Sequence, residues 1–199
     1  MVKAEFIFDF GSPNAYLAWK VLPEIEARTG AAFDPVPCLL GGIFKATGNQ
    51  SPMTANAGIP AKMAYEMLEM RRFIARHGLT RFQMNPHFPV NTLMMMRIAV
   101  AARRDGLLAP VMEALFPAMW EEGRKMDDPA VIGEVLCAAG LPAERLLAAA
   151  NEPEVKAVLI ANTEGAVARG AFGIPTFFVG GEMWFGKDRL GEVEEALRA

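Results

Sequence analysis

At 199 residues the chain is long enough for one domain with a substantial core, or for one domain carrying an insertion. Its 52% apolar and 22% charged content exclude a disordered chain and point to a folded globular protein. A net charge of −3, from 20 basic and 23 acidic residues, gives no electrostatic basis for binding nucleic acid or an acidic membrane surface.

The N-terminal stretch lacks the basic-then-apolar pattern of a signal peptide, because Asp9 and Gly11 interrupt it early, so a cytoplasmic location is expected. Alternation over 3–8 predicts a first strand with one face against a core. Ser12-Pro13 then opens a helix over 14–28 that stops at Gly30, serine being a good N-cap and proline suiting the first helical turn. A second strand is expected over 32–37, bounded by Gly30 and by Pro35 and Pro37. Strand, helix and strand within so short a span read as a βαβ unit.

Residues 39–60 turn irregular, and their Gly, Asn and Pro content marks a long surface loop with one short helix at 40–47. Loops of that length in compact domains are often functional. A helical middle follows, over 61–77, 91–105, 110–123, 129–139, 142–150 and 153–169, with proline expected near N1 of the 110–123, 129–139 and 142–150 helices. The longest apolar run, 93–102, carries Arg97 and is too short to span a bilayer. The tail predicts a strand over 176–179, a Gly180-Gly181 turn, a strand over 182–185 and a helix from Asp188. The order is thus βαβ, a block of helices, then ββα.

Cys38 and Cys137 stand far apart in apolar contexts and are expected to be buried structural thiols. With His77 and His87 as the sole histidines, remote from both, no metal site is expected. His87 is read as structural, and His77 suits the negative end of its helix. Asn91 reads as an N-cap. Met63, Met67, Met70, Met84 and Met94 to Met96 make the helical block rich in methionine, which fills irregular cores or forms a soft wall for an aromatic ligand. Trp120 and Phe88 are further candidates for that wall.

An interrupted βαβ followed by ββα is the thioredoxin arrangement with a helical domain inserted. The stretches "DFGSPNAYLA", "GNQSP", "PAKMAY", "HFPVNTLMMMR" and "GAFGIPTFFVGGEMWFGKDRL" resemble the 2-hydroxychromene-2-carboxylate isomerases over essentially the whole chain. These belong with the kappa-class glutathione transferases in the DsbA-like branch of the thioredoxin superfamily. The resemblance implies an α/β thioredoxin-like domain from 1–40 and 171–199, with a helical insertion over 41–170. It also implies a homodimer.

The same resemblance implies glutathione as cofactor and a small aromatic carboxylate as substrate. It places Ser12 as the catalytic serine, with Pro13 beside it, and Asn49 and Lys62 as glutathione contacts. Ile174 is the residue whose backbone pairs with glutathione, and Pro175 is expected to be cis. Lys187-Asp188 matches the pair that binds the γ-glutamyl end, although the family normally carries serine where this chain has Lys187. Relatives with redox activity hold Cys-x-x-Cys at the start of the first helix. Here the four positions are Ser12-Pro13-Asn14-Ala15, so thiol–disulfide exchange has no sulfur to run on at that place.

The environment that remains is the positive end of a helix, which stabilises a thiolate. A serine there can donate a hydrogen bond to the sulfur of a bound glutathione; it can also do no more than cap the helix. The implied activity is glutathione-dependent isomerisation of 2-hydroxychromene-2-carboxylate or a close analogue, with Lys62 or Lys187 holding the substrate carboxylate. A kappa-like transferase and a glutathione- or peptide-binding module without turnover are the alternatives.

Overall fold

The computed structural model describes residues 4–198; Lys3, expected in the first strand, lies outside them. β1 (Ala4–Phe8) leads into α1 (Pro13–Thr29), which crosses over to β2 (Phe33–Pro37). After the helical block, β3 (Thr176–Val179) and β4 (Glu182–Phe185) form a hairpin through Gly180 and Gly181, both at positive φ. The four strands lie in the order β2-β1-β3-β4. β2 runs parallel to β1, as a helical crossover requires, whereas β3 is antiparallel to both its neighbours. This is the thioredoxin-like, DsbA-type α/β fold expected from the sequence.

The sheet explains where the prolines fall. β2 is an edge strand, so Pro35 and Pro37 sit within it without removing a needed ladder donor. The central strand β1 is buried throughout apart from Glu5. Phe6 and Phe8 project to one face with Phe177, ring centroids 5.7 and 5.4 Å apart, and Phe10 continues the stack to Phe116 at 4.8 Å. α1 lies over that face with Tyr16, Leu17, Val21, Leu22 and Ile25 buried, and ends at Gly30 in the left-handed region.

The helical block comprises α2 (Leu40–Thr47), α3 (Pro52–Ala55), α4 (Pro60–Arg76), α5 (Leu93–Arg104), α6 (Leu108–Trp120), α7 (Pro129–Ala138), α8 (Ala143–Ala149) and α9 (Pro153–Ala168). α9 returns to cover β2. A short 3-10 turn, Lys187–Arg189, precedes α10 (Leu190–Arg198), so the last helix starts two residues later than Asp188.

Four expectations need correction. The 39–60 segment holds a second helical turn, α3, opened by Ser51 capping Thr54 N–H. α6 begins at Leu108, which puts Pro110 two residues into the helix; it is still in the first turn, where the missing N–H costs nothing. Asn91 is not the cap of α5: Thr92 holds the N-cap position without a side-chain cap, and Asn91 accepts the Leu93 N–H. Cys38 is buried as expected and burial pushes its thiol up to about 12, but Cys137 is exposed, because α7 buries only Ile132 and Leu136.

No helix among the described residues is long and apolar enough to cross a membrane. The face of α1 turned to the helical block is fixed by a buried carboxylate. Glu121, at the end of α6, accepts from the Tyr16 hydroxyl at 2.7 Å and pairs with Arg81 at 2.8 Å and Lys20 at 3.5 Å. Burial and the adjacent carboxylate both push the Tyr16 phenol up, so it stays a donor.

Candidate active site

β1 hands over to α1 through Asp9, Phe10 and Gly11, and the turn delivers Ser12 to the N-cap of a 17-residue helix. The Ser12 Oγ accepts the Ala15 N–H at 3.1 Å and donates to the Ile174 carbonyl at 3.1 Å. Its own N–H donates to the Asp9 carbonyl at 3.1 Å. Ser12 is therefore a cap, as pattern alone suggested, and its hydroxyl is at the same time directed across the site to the other half of the fold. Pro13 at N1 brings no N–H, and the positive end of α1 points into the site.

The opposing segment is 172–175. The Ile174–Pro175 peptide is cis, as expected; a second cis bond, Phe88–Pro89, was not anticipated. A Cβ at Gly173 would lie 2.7 Å from the Phe185 ring, so a larger residue there would push that ring aside. The Gly173 carbonyl accepts the Thr176 hydroxyl at 2.8 Å, and the Pro175 carbonyl accepts the Gly186 N–H at 2.9 Å. Asn49 reaches over from the loop after α2, its amide donating to the Phe172 carbonyl at 2.7 Å. The Ile174 N–H donates to no described residue.

The charged groups differ in how they are held. Lys187 is buried: its ammonium donates to Asp188 at 2.6 Å and stands 5.0 Å over the Phe73 ring. Asp188 keeps 62% of its side chain exposed, leaving acceptor capacity at the mouth of the site. Lys62, in the first turn of α4, is exposed, and its side chain has no partner among the described residues. Glu66 accepts from Asn56 at 2.6 Å, and Glu69, paired with Arg72, is held below the usual carboxylate range chiefly by that hydrogen bond.

Ser12, Pro13, Asn49, Lys62, Ile174, Pro175, Lys187 and Asp188 all line one cavity of about 590 Å³. Most of the remaining wall is apolar and soft: Phe44, Phe88, Phe172, Phe185 and Tyr65, with Met53, Met63, Met67, Met70 and Met84. Phe88 is thus at the site, but Trp120 is not. It is fully buried in the core, its indole donating to the Phe10 carbonyl at 2.8 Å. Met95 and Met96 are core residues too. Phe172 and Phe185, tilted against each other at 4.5 Å, were missed because both sit next to glycine-rich turns that carry no period.

A family model described as a DSBA-like thioredoxin domain matches residues 4–198. The chain is 30% identical to the 2-hydroxychromene-2-carboxylate isomerase of Pseudomonas putida, over 97% of this chain and 93% of that protein. It is 28% identical to human glutathione S-transferase kappa 1, over 94% of this chain and 86% of that protein. Among solved structures, a 2-hydroxychromene-2-carboxylate isomerase superposes with a TM-score of 0.81 at 26% identity, covering 98% of this chain and 93% of that one. A probable DsbA oxidoreductase from Streptomyces coelicolor superposes at 0.66 with 19% identity, a likeness of fold alone.

Proposed function

We propose that this chain, which belongs to the DsbA-like thioredoxin family and has 2-hydroxychromene-2-carboxylate isomerases and kappa-class glutathione transferases among its relatives, is a glutathione-dependent isomerase of 2-hydroxychromene-2-carboxylate or a close aromatic analogue. The observation that carries this is Ser12: a buried hydroxyl at a helix N-terminus, where the redox fold would place sulfur, aimed at the backbone of the cis-proline segment.

The residues present fit glutathione. The cavity volume lies in the range of small-molecule sites. The Ile174 N–H, unpartnered among the described residues, and the Ile174 carbonyl suit strand-like pairing with a peptide backbone. Asp188 offers an acceptor for the γ-glutamyl ammonium, and Lys187 a fixed positive charge beside it. Lys62 is the pocket cation left without a carboxylate partner among the described residues, and it is assigned to a carboxylate of the ligands. Asn49 holds the 172–175 segment in place.

Bound glutathione would supply a thiolate that adds reversibly to a conjugated carbon and so frees a double bond to rotate. This chain's part is to lower the cost of that thiolate. The Ser12 proton, now given to the Ile174 carbonyl, turns to the sulfur, and the released carbonyl is free to accept from the ligand's peptide N–H. The Asn14 N–H, which donates to no described residue, and the helix dipole of α1 act in the same direction. The methionine and phenylalanine wall offers the aromatic ring an apolar surface.

Ser12→Ala tests this: turnover should fall at least about a hundredfold, the loss typical of one donor to a developing or resident anion, with the fold intact by circular dichroism. Near-normal turnover would remove the thiolate-holding role. The likeness to human glutathione S-transferase kappa 1 favours a second reading, conjugation with release of the adduct. Product analysis separates the two, since a stable thioether would replace the isomerase by a transferase.

A further inference from the structure

The carboxyl group of Asp9 is used by none of the steps above, yet it is 1% exposed between Phe8 and Phe10 at the end of β1. One oxygen accepts the Gly11 N–H at 2.8 Å and the other the Leu40 N–H at 2.8 Å, and the Thr92 side chain bonds to it as well. The Asp9 carbonyl accepts the Ser12 N–H. One residue thus ties the turn before Ser12 to the first residue of α2 and the residue ahead of α5. Packing closes the same cluster. A Cβ on Gly11 would lie 2.8 Å from Thr92 Cγ2 and 3.4 Å from an Asp9 oxygen. The next N–H, of Phe10, is directed at the Met96 sulfur at 3.4 Å.

Among the described residues no cation pairs with the carboxyl. Cys38 is the titratable group that feels it: burial first, then the Asp9 and Glu5 charges, push the thiol up, so it stays neutral. Burial pushes Asp9 above its ordinary value while the Gly11, Leu40 and Thr92 bonds oppose the rise. Burying a carboxyl without a counter-ion is expensive, and its return is a set of directed bonds that a neutral turn residue makes less rigidly.

We infer that Asp9 is a positioning residue: its carboxyl and carbonyl oxygens fix the 9–12 turn so that the Ser12 hydroxyl meets a bound thiolate. This rests on the glutathione function proposed above. The competing role, a purely electrostatic one, has the opposite sign. A negative charge beneath the site disfavours the thiolate, so removing it would lower the thiol pKa, whereas loosening Ser12 would raise it.

The test reads the pKa of glutathione bound to the protein from the ultraviolet absorbance of its thiolate, in wild type, Asp9→Asn, Ser12→Ala and the double variant. In Asp9→Asn, whichever way the amide turns, its NH₂ meets a backbone N–H, and the turn opens. The bound thiol pKa should rise by about one unit, a tenfold loss of thiolate. It should rise no further when Asp9→Asn is added to Ser12→Ala. A pKa that falls or stays put in Asp9→Asn, or an equal shift in both backgrounds, overturns the inference while leaving the glutathione site standing. A wild-type bound thiol no more acidic than free glutathione removes the thiolate-holding role, and the inference with it, whereas no binding of glutathione at all removes the proposed function. If Asp9→Asn does not fold, Thr92→Val removes one donor while sparing the backbone bonds. It should move the pKa the same way by about half a unit, and no shift there overturns the inference.

Discussion

Ser12 has two jobs that substitution separates. As a cap it satisfies the Ala15 N–H, and its loss in Ser12→Ala costs about 1 kcal/mol of stability. If, as proposed, it also donates to the glutathione sulfur, activity should collapse in a protein that unfolds only a few degrees lower, measured by thermal melt beside the assay. Lys62 differs because it is exposed and has no partner to lose among the described residues. Lys62→Gln should leave the melting temperature unchanged and raise the KM for a carboxylate ligand by about fivefold at most, the span of an exposed ion pair; a large fall in kcat instead would place the lysine at the reacting atoms. Asp9 shows what the sequence half-disclosed. An acid between two phenylalanines in an apolar run signals a buried carboxyl, but its partners at Leu40 and Thr92 are remote in sequence and emerge only on folding.

Among the elements, α1 carries the serine and is held from both sides. Toward the helical block, Tyr16 donates to the buried Glu121. Tyr16→Phe should cost about 1–2 kcal/mol, since Glu121 keeps Arg81 and Lys20. Glu121→Ala should cost about 3 kcal/mol by leaving the phenol unpaired inside. Denaturant midpoints at constant m-value check both. Toward the C-terminus, Arg28 grips Glu194 of α10 with two bonds of 2.8 Å. That bond, first, holds the Glu194 carboxyl below the usual range. Its contribution to stability is therefore complete above about pH 4.3, the ordinary glutamate value, and is lost as pH falls through the lowered one. Wild type should melt above Glu194→Gln near neutrality and converge with it in acid; a constant gap would contradict the assignment. Element existence was plain where Gly and Pro punctuate, as at Gly30 and in the β3–β4 hairpin. It failed where those signals are ambiguous: α3 is four residues long, and Pro110 suits the first turn at more than one position.

For the whole molecule, the site lies where two halves of one thioredoxin-like domain meet at the Ser12–Ile174 bond, between residues 162 positions apart in sequence. Composition and periodicity supplied the strands and helices, but nothing local says that "GSP" and "GIPT" face each other; family resemblance did. The methionines mark the limit of pattern most clearly. Met67, Met70 and Met84 line the cavity while Met95 and Met96 fill the core, though all five belong to the same methionine-rich block and only packing separates them. Ser12, Ile174, Lys187 and Asp188 converge on one cavity whose apolar wall suits an aromatic ring, which is why glutathione-dependent isomerisation is favoured over a redox role that lacks its sulfurs. The most direct test follows 2-hydroxychromene-2-carboxylate and its ring-opened isomer by ultraviolet absorbance, with purified protein, with and without glutathione. The account predicts approach to the same equilibrium from both sides only when glutathione is present, with glutathione unconsumed. Interconversion that ignores glutathione, or none at all with it, would contradict it.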